Sequence, residues 1–171
     1  MSSSLKWYAA NTRAGQVLSV KARLDRLGVE NFIPLRDAYK IRGGRRVKVQ
    51  EPIAGALVFI HADKDKALAL ANGYEFPLWY LIDATTRSLL EVPDRQMSDF
   101  MRVVLEEPSA EYLTDCHYRK GQRVRIVKGN LSGVEGTVLK EKGKAYLMVQ
   151  VLSFLTARVQ VSKDMVEPVQ M

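Results

Sequence analysis

The chain has 171 residues, 47% of them hydrophobic, a formal charge of +7 and one cysteine. That length accommodates one domain or two small ones, and that much apolar material excludes a disordered chain. The lone Cys116 excludes an internal disulfide framework and a multi-cysteine zinc site. The first residues lack the apolar core of a secretory signal, and the longest apolar stretch, Ile53 to Ile60, is far short of the ~20 residues needed to span a bilayer. A soluble, cytoplasmic protein is expected. The positive surplus favours an anionic partner, with nucleic acid leading and a solubility-driven excess of Lys as the alternative.

In chain order, Leu5, Trp7 and Ala9 alternate with Lys6 and Tyr8, the pattern of a half-buried strand. Val17, Val20, Leu24 and Leu27 then recur at helical spacing, and Gly28 supplies the left-handed residue that ends such a helix. Phe32-Ile33 leads into a hairpin from Tyr39 to Val49 that turns at Gly43-Gly44. Leu57 to Ile60 reads as a buried strand. Asp63 caps a short helix that stops at Asn72-Gly73, and Leu78 to Ile82 and Leu89 to Val92 are strands. Asp94 caps a helix with the apolar stripe Met97, Phe100, Met101 and Val104. From Glu106 to Asp115 the periodicity breaks in an acidic, Pro-containing linker.

Beyond the linker the pattern holds only strands: Val124 to Val127, Val134 to Leu139, Tyr146 to Leu152 and Thr156 to Val161. So many short strands in so little chain predict a small barrel, because closure hides the sheet edges. The expected organisation is α+β: a first domain over 1–107 with an antiparallel sheet flanked by helices, a linker over 108–116, and an all-β domain over 117–171.

The strongest signal is the run from Gly121 to Val138. Val124 and Ile126 alternate with Arg123 and Arg125, Gly129 and Gly133 bracket a tight loop, and Gly136 sits inside the next strand, where it marks a bend or a close backbone approach. With Val138, this pattern resembles the KOW motif of SH3-like barrels; any small barrel with glycine turns is the plainer alternative. The first domain narrows the choice. Trp7-Tyr8, Gly15-Gln16, Phe32-Ile33-Pro34, the basic hairpin, Leu57-Val58-Phe59-Ile60 and Val92-Pro93-Asp94 follow in the order of an NGN domain, and the whole chain resembles the NusG family of transcription elongation and antitermination factors. The runs Pro52 to His61 and Val92 to Phe100 look closest to its UpxY-type paralogs from Bacteroidales. That resemblance implies a factor that docks on the clamp of the largest RNA polymerase subunit, without enzymatic activity, and promotes processive transcription of long capsular polysaccharide operons. The alternative is a ribosome-associated KOW-type RNA-binding protein.

On the same resemblance, Tyr8, Asn11, Leu57, Phe59, Trp79 and Tyr80 are the candidate polymerase-binding residues, with Asn11 at the polar rim; core packing is the alternative for any one of those on strands, and an exposed patch the reading for the group. The chain departs from the family at Ala54-Gly55-Ala56-Leu57, where many members carry Phe-Pro-Gly-Tyr. Six cations between Arg36 and Lys48 face one acid, Asp37, so Arg42, Arg45, Arg46 and Lys48 are candidates for phosphate contact, against the reading of an ordinary solvated hairpin. Arg13, Arg23 and Arg26 occupy the helix face that meets the non-template strand in specialised paralogs. Arg119, Lys120, Arg123, Arg125 and Lys128 form a second basic cluster, either an RNA site or the wet face of the barrel, and the loop with Leu131 is a candidate for docking a further protein. DNA or nascent RNA is thus an expected partner, and the protein is expected to act as a monomer.

For chemistry the sequence offers little. Cys116-His117 is the only thiol–imidazole pair, and adjacency in the chain is not the geometry a nucleophile and base require. His61 and Asp63 lack further metal ligands, and Gly43-Gly44 lacks the context of a phosphate-binding loop. No cofactor is expected.

Overall fold

A central strand organises the first half of the chain. The structure, a computed structural model, describes residues 4–72, 76–113 and 121–170, and its contacts divide it into two compact units, Met1–Asp94 and Arg95–Met171. The fold is α+β, a mixed unit followed by a β-rich one.

The first unit contains β1 (Lys6–Asn11), α1 (Val17–Arg26), β2 (Glu30–Phe32), β3 (Leu35–Arg42), β4 (Arg45–Pro52), β5 (Leu57–Ala62), α2 (Lys64–Asn72), β6 (Trp79–Tyr80) and β7 (Glu91–Val92). Its main sheet runs β2-β5-β1-β6, with β7 also paired to β1. The expected half-buried β1 is instead buried from Trp7 to Ala10, while Leu5 is exposed, because β1 lies in the middle of the sheet. Ala10, Val58, Ile60 and Ala62 pack with Val17, Val20 and Leu24 of α1. Leu27, assigned to the same stripe from its spacing, is exposed because it is the C-cap. There the Val29 N–H donates to the Leu24 carbonyl at 3.0 Å and the Gly28 N–H to Asp25 at 3.1 Å, with Gly28 at φ 69°, a Schellman closure. Asp63 caps α2 by accepting from the Lys66 N–H at 2.8 Å. The strands expected at Leu78 to Ile82 and Leu89 to Val92 shrink to β6 and β7, joined by a single bridge between Ile82 and Leu89.

β3 and β4 form a sheet of their own, paired from Leu35↔Pro52 to Arg42↔Arg45. Gly43 and Gly44 have φ of 57° and 75°, positive at both central positions as a two-residue hairpin turn of primed type requires. The ribbon is longer at both ends than the alternation from Tyr39 to Val49 predicts.

The helix α3 (Asp94–Glu106) is counted with the second unit from Arg95 onward, whereas the expected boundary at Glu107 assigns it to the first domain. It buries Met97, Asp99, Phe100 and Val103, so Val103 takes the place expected for Val104, and Met101 is only half-buried. There follow β8 (Glu111–Leu113), β9 (Arg123–Ile126), β10 (Glu135–Glu141), β11 (Lys144–Leu152), β12 (Leu155–Val161), a 3-10 turn (Lys163–Met165) and β13 (Val166–Pro168). Part of the expected linker is therefore strand: β8 pairs with β12 through Thr156, Ala157 and Arg158. The sheet order is β13-β9-β10-β11-β12-β8. Among the described residues β13 and β8 do not pair with each other, so the path is open rather than the closed barrel expected.

Two details fix this sheet. A Cβ on Gly136 would lie 2.4 Å from the Met148 carbonyl oxygen, so β10 and β11 approach closely only because that position has no side chain. Glu135, with a side chain 10% exposed, accepts from Arg125 at 2.7 Å and Arg123 at 3.2 Å and pairs with Arg95 at 3.3 Å. Chiefly the Arg125 hydrogen bond, then those of Arg123 and the charge of Arg95, hold the Glu135 carboxyl below its ordinary value against the opposing effect of burial.

Gly136→Ala should lower stability by about 1–3 kcal/mol, read from the urea midpoint of the full chain. Because Glu135 has a depressed folded pKa, its contribution is present above an unfolded value of about 4.3 and is lost as pH falls through the folded value. As pH falls below the unfolded value of about 4.3, unfolding midpoints of the parent should therefore drop more steeply than those of Glu135→Gln.

Candidate nucleic-acid interface

Both candidate surfaces of the first unit lie at one end of its main sheet. β1 ends at Asn11, opposite Leu57 at the start of β5 and Trp79 at the start of β6. The hairpin leaves the same end after Phe32, which pairs with Phe59, and returns before Leu57. Bonds from the Thr12 N–H to Ala56 at 2.9 Å and from the Ile53 N–H to Pro34 at 2.9 Å close that end.

At the β6 edge a cleft of about 410 Å³ is lined by Arg13, Gln16, Arg23, Ala71, Phe76, Pro77, Leu78 and Trp79. A neighbouring hollow of about 290 Å³ adds Arg26 and Leu27 to Arg23 and Phe76. Arg13, which precedes α1 rather than standing on it, lines the first hollow with Arg23, and Arg23 and Arg26 line the second. The Arg23 guanidinium lies 4.4 Å above the Phe76 ring, a cation–π geometry that fixes the cation over an aromatic plane. Trp79 is 53% exposed. Aromatic faces beside guanidinium groups suit a planar, anionic ligand, with the ring stacking a base and the cations holding a phosphate. Sequence reasoning missed Gln16 and Phe76 as cleft residues. The signal was the Phe76-Pro77 step beside Trp79, an aromatic held at the edge of a turn.

The six candidate polymerase contacts divide. Asn11 and Trp79 are exposed, whereas Tyr8, Leu57 and Phe59 are buried, with Phe59 at 0%. These three belong to the central strands β1 and β5, where neither alternating face is left to water, so they take the core-packing reading and not that of an exposed patch. Tyr80 is half-buried. Its ring meets Tyr8 edge-on at 6.3 Å, its hydroxyl has no hydrogen-bond partner among the described residues, and burial pushes its pKa upward.

On the ribbon, Arg42, Arg45, Arg46 and Lys48 are all exposed. Lys48 pairs with Asp37 at 3.0 Å, Lys40 and Arg36 reach Glu51 at 3.7 and 3.9 Å, and the Arg46 guanidinium lies 4.1 Å above Tyr39.

In the second unit, Val124 and Ile126 are buried, Val138 is half-buried, and Val124 pairs with Gly136. A Cβ on Gly121 would meet the Val138 carbonyl oxygen at 1.8 Å, and Gly129 and Gly133 have the positive φ that the loop demands. Leu131 is buried, not presented for docking. Arg95 donates to the Gly133 carbonyl at 2.5 Å, and Arg102 to Ser132 and Asn130, both at 2.7 Å, so α3 grips this loop by its backbone. These arginines were not selected from sequence, although Arg95 and Asp99 stand at helical i,i+4 spacing and pair at 3.1 Å. The described members of the second basic cluster are paired: Arg123 and Arg125 with Glu135, Arg125 also with Glu167 at 3.8 Å, and Lys128 with Asp164 at 3.4 Å. Arg119, Lys120 and the Cys116-His117 pair lie outside the described residues. His61 stacks on Trp7 at 4.7 Å and meets Glu30 at 2.5 Å. Among the described residues no group of three or more His, Cys, Asp or Glu is arranged to hold a metal ion, and no helix is long and apolar enough to cross a membrane.

A family model described as "Transcription termination factor nusG" matches residues 5–101. No curated protein matches the chain. Among solved structures, a chain of "Crystal Structure of MjSpt4:Spt5 complex conformation B" is similar at 12% identity and a TM-score of 0.29, with 96% of this chain and 97% of that chain covered. At that score the likeness adds no argument.

Truncating Phe59 to Ala should cost about 3–5 kcal/mol of stability by leaving a cavity, whereas Trp79→Ala should stay within about 0.5 kcal/mol of the parent. Thermal and urea unfolding of the two variants check the division between buried and exposed candidates.

Proposed function

We propose a function on an established premise: the chain belongs to the NusG family of transcription factors. It acts by binding rather than catalysis, as an elongation and antitermination factor that docks on the clamp of RNA polymerase and touches nucleic acid at the transcription bubble. The observation that carries this reading is the family match across residues 5–101, a stretch that holds the whole of the aromatic–arginine cleft and the basic hairpin. On this reading residues 1–107 are the NGN domain, 108–116 the linker and 117–171, beyond the matched stretch, a KOW domain. The runs Pro52 to His61 and Val92 to Phe100 support a UpxY-type paralog serving long capsular polysaccharide operons.

The site residues take different parts. Asn11 and Trp79 touch a partner directly, while the buried Tyr8, Leu57 and Phe59 shape the sheet end from beneath. Arg13, Arg23 and Arg26, with Phe76 and Trp79, take an unpaired base and its phosphate from the opened strand. A factor of this kind works by differential affinity, since a ligand shifts an equilibrium only as far as it binds one state better than the other. A preference of about 2 kcal/mol for the elongating polymerase changes the occupancy of a pause roughly 30-fold.

Two measurements test this. The full chain should capture core RNA polymerase and not ribosomal subunits; the reverse result replaces transcription with a ribosomal role. A single-stranded oligonucleotide should quench the fluorescence of Trp79, the exposed one of the two tryptophans, and Trp79→Ala should weaken its binding by at least about five-fold, since stacking is worth roughly 1–3 kcal/mol per base. Equal affinity of parent and variant would remove the cleft from the nucleic-acid path.

A further inference from the structure

At one end of the second sheet the core face is left partly open. Paired residues, and residues two apart, share a face of a sheet. The pairs Val138↔Leu147, Lys140↔Ala145, Ala145↔Val161 and Pro168↔Val124 therefore set Val138 and Lys140 on the face that buries Leu147, Val149 and Val159. Val138, Ala145 and Val166 are only half-buried there, and with Val124 and Val161 they floor a hollow of about 460 Å³. That volume falls among sites that take one small organic molecule, roughly 300–1,000 Å³.

The free charges of this hollow have one sign. Lys140 stands on the apolar face itself, and Lys163 enters from the 3-10 turn. Both are exposed and have no ion-pair partner among the described residues. Glu167 also lines the hollow, but in register it belongs to the opposite face, where it pairs with Arg125. The neighbouring Asp164 is engaged by Lys128 at 3.4 Å and by the Ser162 hydroxyl at 2.5 Å. A lysine turned inward at a sheet end also discourages pairing with another edge, and its stem covers apolar surface. That role requires neither a second lysine nor an open floor. A bare anion would leave the valine floor wet, and a neutral hydrocarbon would leave both cations unused. An apolar body with one anionic head satisfies both.

We propose that this hollow binds a free aliphatic carboxylate, its chain on Val138, Ala145 and Val161 and its carboxylate held by Lys140 and Lys163. The site belongs to the second unit alone and is independent of the nucleic-acid surfaces of the first. Its concave floor is sized for a single small molecule and is not the flat face that a lipid surface requires.

The test is calorimetric titration of the full chain with hexanoate, octanoate and decanoate, each below its micelle-forming concentration. Affinity should rise by about three- to four-fold for each added methylene, the increment of burying it. Decylammonium, with the same chain and the opposite charge, should bind at least about ten-fold more weakly than decanoate. Lys140→Gln should weaken decanoate by about three-fold and leave the increment per methylene unchanged. Ala145→Phe, which fills the floor, should erase that increment, circular dichroism confirming the fold of both variants. An affinity independent of chain length, equal binding of decylammonium, or no binding by the parent overturns the proposal and leaves Lys140 as a guard of the sheet end. Binding that neither variant disturbs places the carboxylate elsewhere and overturns it as well. Retention on phosphatidylglycerol vesicles without binding of free decanoate replaces the small molecule with a lipid surface.

Discussion

Six antiparallel pairs, from Lys6↔Ala62 to Asn11↔Leu57, hold β1 against β5 in the middle of the first sheet, and the surfaces of that unit are positioned from this ladder. Its Ala10, Val58, Ile60 and Ala62 supply the floor on which α1 lies, which sets the arginines of that helix beside β6. Its last pair fixes the sheet end where the cleft begins and the ribbon departs. A slip of one residue would turn every side chain of β1 to the other face, exchanging Ala10 for Asn11 beneath the helix. The burial of Phe59 and Leu57 follows from the same requirement: residues that define the register of a central strand are not free to be a docking surface.

Two basic clusters of similar appearance in the sequence have opposite electrostatic fates. In the second unit, Glu135 sits on the strand next to β9 and engages Arg123 and Arg125, and Asp164 engages Lys128, so the described part of the cluster is a paired network. On the ribbon the acids neutralise the base and not the tip. The difference is one of pairing register. A local count of charges sees neighbours in the chain, while the field at the surface depends on which strand lies ~5 Å to the side. Exposed pairs of this kind contribute little to stability, but they decide where uncompensated charge remains.

Most of the element order was legible because its signals are local. Gly28 ends α1, Asp63 begins α2, and Gly43-Gly44 turns the ribbon, each by a rule that acts within a few residues. What stayed hidden was set by partners distant in sequence. The inward-facing side chains of β1 read as alternating because Tyr8 and Lys6 carry polar atoms, and only its central place in the sheet buries Tyr8. β8 was hidden in an acidic segment because three residues carry no periodicity and the strand exists by pairing with β12. The open path of the second sheet was invisible for the same reason. In the candidate site, the arginines were found from their helix face, but Phe76 was not, since its place over Arg23 depends on a turn that brings it back to α1.

The two candidate surfaces share one end of the sheet but differ in the physics they bring. The cleft is concave and combines aromatic planes with guanidinium groups, so its strength lies in stacking, which is short-ranged and tolerant of sequence. The ribbon projects and carries unpaired charge, whose influence reaches about 8 Å at physiological ionic strength. On the proposed reading, an approaching nucleic acid would feel the ribbon first and the cleft only on contact. Because both leave the same ladder, a polymer held at one would already be near the other, and the second contact would form at a high effective concentration. Two separate contacts on one frame would then suit the proposed role, in which the factor follows moving nucleic acid and still lets each base go.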